Sequence, residues 1–344
     1  MEIFIIIKIL LLTTLATIIA IAWAPLLTHF LYKYKLGKSI RNTGKTPIFS
    51  KMHKDKAGTP TMGGLMIWVT VLILSLFFFY INKLVDIDFF RQMNFLTRSQ
   101  TLLPLGALVA AALVGLFDDF LDVRSNGKGG LTVKRRLLIY TLIAIVGALW
   151  FYFKLDWDLL HIPFLGNFQI GLWYIPIFIF VIVATAFSVN EIDGLDGLAG
   201  GTLLTAFGAY GTIAFMQGKY DLATFCGVII GALIAFLWFN IKPARFYMGD
   251  TGAMSLGITL GIIAMLTNQA FLLPIIGLLF VIESLSVIIQ IVSKKLFNKK
   301  VFLSSPIHHH FEAIGWPEYK IVMRFWLVSG ITAVIGIIIF LLDK

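Results

Sequence analysis

Ten apolar stretches recur along the chain, near 3–24, 62–81, 101–117, 136–153, 172–189, 198–216, 222–239, 251–266, 271–292 and 321–341. Each is close to the ~20 residues an α-helix needs to cross a bilayer. Hydrocarbon offers no water to backbone N–H and C=O groups, so each stretch must satisfy its own, and helix is the state that does so. Together they take up more than half of the 344 residues. A chain 59% hydrophobic and 13% charged is far from the quarter or so of charged residues usual in soluble domains, which excludes a water-soluble globule. It is equally far from disordered compositions. The sequence predicts an all-α polytopic integral membrane protein of about ten transmembrane helices, organised as a single domain over 1–344.

The first stretch reads as a retained helix. Ala22-Trp23-Ala24 mimics a small-x-small cleavage site, but Pro25 follows it directly and no basic n-region precedes the apolar run. The one cysteine, Cys226, lies in an apolar run, so neither a disulfide framework nor a cysteine metal site is available.

Nine loops separate the spans. Twenty Lys and Arg fall in the odd-numbered loops or at their borders and five in the even-numbered ones. The positive-inside rule then puts the odd loops in the cytoplasm and both termini on the extracytoplasmic side. The net charge of +10 reads as topology and attraction to anionic lipid, with no nucleic-acid partner. The reactive residues sort the same way. Asp118, Asp119, Asn190, Asp193, Asp196, Asp250, His308, His309 and His310 all lie in odd loops or at helix ends abutting them, whereas the even loops hold scattered acids without a motif.

Five segments carry the chemistry. Asp118-Asp119 closes an apolar run, and at an interface the pair could reach a divalent cation or a phosphate headgroup, or serve as a solvated helix end. A carboxylate in low dielectric suits a general base. The segment Asn190-Glu191-Ile192-Asp193-Gly194-Leu195-Asp196-Gly197 places hard oxygen ligands on a backbone that can turn sharply. From Asn240 to Gly252, Tyr247 precedes Gly249-Asp250-Thr251. An Asp between glycines at a helix start can bind Mg²⁺ or simply cap the helix, and the tyrosine can stack on a base or anchor at the interface. His308-His309-His310, after Pro306, could meet phosphate or orient ligands. In the first loop, Lys54 and Lys56 lead into Gly58-Thr59-Pro60-Thr61-Met62-Gly63-Gly64, a diphosphate clamp or topogenic charge before a turn. Lys134, Arg135 and Arg136 carry the same two readings. Glu283, the one acid deep within a predicted span, reads as structural or groove-lining.

In order and on one membrane face, these motifs resemble those of the bacterial phospho-N-acetylmuramoyl-pentapeptide transferases, within the polyprenyl-phosphate N-acetylhexosamine-1-phosphate transferase superfamily. The residues that carry the likeness are Gly58 to Gly64, Asp118-Asp119, Asn190 to Gly197, Met248 to Gly252 and Pro306 to Glu312. The resemblance implies Mg²⁺ as cofactor, UDP-N-acetylmuramoyl-pentapeptide as donor, undecaprenyl phosphate as acceptor, UMP and lipid I as products, and a multi-pass place in the bacterial cytoplasmic membrane. It leaves oligomeric state open, a homodimer included. Carried over by position, it implies Asp250 as Mg²⁺ ligand, Asp118 as proton acceptor, and Asp119 as support for metal or acceptor phosphate. Asn190, Asp193, Asp196 and Asn240 become the nucleotide-side polar wall, with Tyr247 stacking on uracil. Lys54, Lys56, Thr59, Lys134, His308, His309 and His310 become phosphate or substrate contacts. Asp122 stands where relatives often carry Lys, and Tyr247 where Phe is usual. The competing classes are a sibling transferase of N-acetylhexosamine-1-phosphate and an ion-coupled secondary transporter. The latter would place its acids near the midplane on broken helices.

Overall fold

The computed structural model describes residues 2–37, 58–125 and 130–343; Lys54 and Lys56 lie outside them. Among the described residues, nine helices are long and apolar enough to cross a membrane, or ten if one bent pair is counted as a single span. In chain order they are α1 (Glu2–Lys33), α2 (Leu65–Leu84), the short α3 (Asp88–Met93), α4 (Leu102–Arg124) and α5 (Val133–Leu149). A hairpin of β1 (Leu159–Ile162) and β2 (Gly166–Gln169) follows, then α6 (Tyr174–Ile192), α7 (Leu198–Met216), α8 (Tyr220–Asn240) and α9 (Gly249–Leu266). The chain ends with α10 (Leu273–Ile276), α11 (Leu278–Phe297), α12 (Ile307–Ala313) and α13 (Glu318–Leu342). The all-α membrane architecture expected from the sequence is present.

α9 is the centre of the bundle. Every residue of it except Asp250 is buried, and it packs most extensively on α4 and α6. Lipid gives no hydrophobic drive to bring helices together, so close van der Waals approach through small residues does that work. The α9 sequence Gly252-Ala253-Met254-Ser255-Leu256-Gly257-Ile258-Thr259-Leu260-Gly261 supplies them. A Cβ on Gly257 would sit 2.8 Å from the Ala186 Cα of α6. Outer helices present the opposite face to lipid: on α13, Met323, Leu327, Ile331 and Val334 are exposed.

Three elements depart from the sequence expectation. Ala270–Ile276 and α11 meet at 81°, so the apolar run at 271–292 is two helices and not one. The first closes when Gly277 N–H bonds the Leu273 carbonyl at 2.8 Å, and the Phe280 ring fills the space a Gly277 side chain would take. The fourth loop contains the antiparallel hairpin, with Leu159 opposite Gln169 and Ile162 opposite Gly166. The hairpin is tied to the bundle by His161, which pairs with Asp343 after α13, while its backbone N–H donates to Asn268 at 3.1 Å. Finally, α4 continues through Asp118 and Asp119 to Arg124, so these acids ride inside a helix and not at its end.

Candidate active site

Four helices deliver one polar side chain each to the same end of the bundle: Asp118 from α4, Arg136 from α5, Asn190 from α6 and Asp250 from α9. Arg136 is the hub. Its Nε donates to Asp118 Oδ2 at 2.8 Å, one terminal nitrogen to Asn190 Oδ1 at 3.1 Å, and the other to Asp250 Oδ2 at 2.6 Å. Asn190 Nδ2 closes the ring by donating to Asp250 Oδ1 at 2.6 Å. Asp118 is fully buried and Asp250 13% exposed at the side chain. The second Asp118 oxygen accepts the Leu131 backbone N–H. The bonds from Arg136 to the two carboxylates are charge-assisted, the strong class of hydrogen bond.

The neighbouring Asp119 has a different task. One of its oxygens accepts the Asp250 N–H at 3.1 Å and the Thr61 hydroxyl at 3.2 Å, and the other accepts the Thr251 N–H at 3.0 Å. A carboxylate is thus set on the N-terminus of α9, where unpaired N–H groups and the helix dipole favour negative charge. Gly249 opens that turn with φ +72°, and a side chain there would lie 2.5 Å from Asp119 Oδ2. α4 comes this near because of Gly115, where a Cβ would stand 2.4 Å from the Asp250 carbonyl oxygen. The first-loop glycines complete the turn: Gly63 and Gly64 donate to the carbonyls of Tyr247 and Met248 at 2.7 and 2.8 Å.

A cavity of about 540 Å³, which none of the four ring residues lines, is bounded by Thr59, Asp196, Lys242, Tyr247, Trp316 and Glu318 among others. Thr59, Asp196 and Tyr247, singled out from three separate loops, therefore share one chamber. Asp196 is held by the Ala244 N–H at 3.2 Å, and its own N–H donates to Glu318 at 2.8 Å. Asn240 is a strut: its side chain accepts from Gly197 N–H at 2.9 Å and donates to the Phe246 carbonyl at 2.8 Å. Asp193 stands at the C-terminal cap of α6.

The histidines sit on the short helix α12 and not on an open loop. His308 and His309 are buried. His308 Nδ1 lies 3.0 Å from Glu283 Oε2 and His309 Nδ1 2.7 Å from Glu312 Oε2, while His310 Nδ1 accepts the Leu303 N–H at 3.3 Å. His308 also packs against Gly194 of the acidic segment, where a Cβ would be 2.2 Å from its Nε2. Burial, with His308 alongside, pushes His309 down to about 4 even though Glu312 opposes the shift.

Comparison with known proteins agrees with the motifs. The profile for glycosyl transferase family 4 matches residues 101–268, which contain Asp118, Arg136, Asn190 and Asp250. Residues 56–67 match phospho-N-acetylmuramoyl-pentapeptide-transferase signature 1. A phospho-N-acetylmuramoyl-pentapeptide-transferase of a Geobacillus species is 41% identical over 331 residues, covering 94% of this chain and 95% of its own length. The chain belongs to the phospho-N-acetylmuramoyl-pentapeptide-transferase family. Relatives of the same name from Chloroflexus aggregans and Bacillus anthracis are each 40% identical, over 90% and 94% of this chain and 83% and 95% of their own lengths. Within this family frame, the cation at the ring is Arg136, whereas Lys134 of the same basic run is exposed. Sequence reasoning left the run undivided. Two residues along a helix turn by about 200°, and only the start of α5 at Val133 fixes which cation faces inward.

Proposed function

We propose that this chain transfers phospho-N-acetylmuramoyl-pentapeptide from its UDP-linked donor to undecaprenyl phosphate, releasing UMP and forming lipid I, the first membrane step of peptidoglycan synthesis. The observation that carries the reading is the ring of Asp118, Asn190 and Asp250 about Arg136, in a chain whose family relatives bear that name. The signature at residues 56–67 favours this donor over the N-acetylhexosamine donors of sibling transferases. A polyprenyl tail belongs in the bilayer with its phosphate at the interface, and the ring lies where helix ends meet. We read that end as the cytoplasmic side and the whole chain as one catalytic unit.

The donor set suits Mg²⁺. Among the described residues no three His, Cys, Asp or Glu side chains form a cage, and Mg²⁺ is commonly held by one or two carboxylates completed by water and substrate phosphates. Asp250, with Asp118 beside it, would hold the ion, which when bound neutralises charge on the diphosphate. Asp118 accepts the acceptor's proton. Asp119 fixes the α9 terminus that aims Asp250. Asp193, Asp196 and Tyr247 hold the nucleotide, with Tyr247 on the uracil face, and Thr59, Lys54, Lys56, Lys134 and the histidine helix serve the phosphate and sugar side.

Purified full-length protein incubated with Mg²⁺, undecaprenyl phosphate and alternative UDP-linked donors tests this. UMP release confined to the muramoyl-pentapeptide donor is expected. Release with a UDP-N-acetylhexosamine donor instead, or with no donor, overturns it.

A further inference from the structure

Every oxygen of the two carboxylates in the ring already has a donor from the protein. Asp118 takes the Leu131 N–H on Oδ1 and Arg136 Nε on Oδ2, while Asp250 takes Asn190 Nδ2 on Oδ1 and an Arg136 terminal nitrogen on Oδ2. The guanidinium is permanently charged and 20% exposed at the side chain, so it stands as an internal cation between two acids contributed by different helices.

We propose that Arg136 is the resident counter-cation of this pocket, competing with a divalent cation for Asp250 and yielding that contact when the cation binds. The proposal rests on the magnesium reading above. Two carboxylates and one guanidinium leave the ring with a single negative charge. An added 2+ ion must therefore meet a positive charge already hydrogen-bonded to its principal ligand. Like charges a few ångströms apart in a half-buried site repel strongly. The two Arg136 links also differ in freedom. Nε is nearest the stem and holds a fully buried Asp118, whereas the terminal nitrogen on Asp250 lies at the movable end of the side chain. Withdrawal from Asp250 with Asp118 kept as a pivot is the motion that leaves fewest buried groups without a partner.

Arg136 thereby holds the four helices together while no metal is bound. It also sets the affinity with which one enters. A residue that only scaffolds the ligands gives the opposite sign: its loss would scatter the carboxylates and weaken metal binding.

The test uses full-length protein in detergent and Mn²⁺ as a spectroscopic probe, with free Mn²⁺ read by electron paramagnetic resonance. Arg136→Gln should bind Mn²⁺ about tenfold more tightly than the unmodified protein. Its thermal midpoint in chelator should fall, and the rise on adding Mn²⁺ should be larger. Arg136→Lys, whose single ammonium lacks the planar fork that spans Asp118, Asn190 and Asp250, should tighten binding severalfold and keeps the test open if the glutamine variant does not fold. Adding Asp250→Asn should remove the tight site in either background. Equal or weaker Mn²⁺ binding by the Arg136 variants overturns the proposal and leaves the transferase reading standing. Absence of Mn²⁺ binding in the unmodified protein and the variants alike overturns the magnesium reading and this proposal together.

Discussion

His308 Nδ1 lies 3.0 Å from Glu283 Oε2, and neither side chain has any solvent exposure. The intramembrane acid of α11 is thereby joined to the histidine helix, and His308 in turn packs on Gly194 of the acidic segment. A chain of contacts runs from the bent helix pair to the segment that carries Asp193 and Asp196. Removing one partner of a buried pair deprives the other of that hydrogen bond, which costs about 1–3 kcal/mol. Glu283→Leu should lower the thermal midpoint accordingly. It should also cut turnover by about tenfold or more through displacement of α12. Glu283→Gln keeps an acceptor for His308 and should be much milder. Equal midpoints for the two variants would show that the pair is not holding the helix.

Gly115 and Asp250 set the distance between α4 and α9. A methyl group at 115 would meet the Asp250 carbonyl at 2.4 Å, and backbone cannot swing aside as a side chain can. Gly115→Ala should force the helices apart, with a stability loss of about 1–3 kcal/mol. Because Asp118 and Asp119 lie one turn further along the same helix, UMP release should fall more steeply than the thermal midpoint alone would suggest. Gly106 is the control, since nothing lies within 4 Å of a Cβ built there; Gly106→Ala should leave activity and midpoint unchanged.

The two ring aspartates should separate kinetically. Asp250→Asn preserves shape but weakens the proposed metal ligand, and loss of such charge stabilisation costs about 10²–10³ in turnover. Asp118→Asn removes the proposed proton acceptor while donor binding, measured by UDP-donor titration, stays near that of the unmodified protein. Turnover of Asp118→Asn that matches the unmodified protein at every pH would dismiss Asp118 as the base.

Acid should loosen the histidine helix. His309 is held near 4 in the fold by burial and by His308, against an ordinary value of about 6.5 in the unfolded chain. The folded value is depressed, so unfolded chains take up the proton first. The contribution of neutral, buried His309 is complete above pH 6.5 and is lost as pH falls toward 4. At about 1.4 kcal/mol per pH unit, the loss reaches about 3 kcal/mol. His309→Gln should flatten this part of the pH–midpoint profile, and an equally steep fall in the variant would assign the acid lability elsewhere.

Much of this was legible in the residues, for definite reasons. A span must be apolar for about 20 residues, so nine helices and the bent pair fell where the hydrophobic runs lie. Short polar motifs bordering the apolar runs identified Asp118, Asn190 and Asp250, and these do meet. What stayed hidden depends on helix phase or on distant partners. Lys134 and Arg136 look equivalent until the start of α5 is known, and Glu283 gives no sign of His308 until α11 turns away at Gly277. The residues alone also gave no sign that Asp119 takes the Asp250 and Thr251 N–H groups at the start of α9. Asn240 looked like substrate wall, but its amide spans Gly197 and Phe246. The hairpin at 159–169 was missed because four-residue strands give too short an alternation to read against apolar surroundings.

The orientation drawn from Lys and Arg placement can be tested with the chain's own chemistry. Cys226, its one cysteine, is fully buried between α8 and its neighbours, so it should stay silent to a membrane-impermeant maleimide. Leu165, at the hairpin tip, is 71% exposed, and Lys299, after α11, is exposed at the end of the molecule that carries α12. In intact spheroplasts, Leu165→Cys should label from outside, whereas Lys299→Cys should label only once the membrane is opened. Arg136, Asp118 and Asp250 share the end of the bundle marked by Lys299. Labelling of Lys299→Cys in sealed cells would therefore put the ring outside, away from any cytoplasmic UDP-linked donor, and the proposed reaction would fail with it.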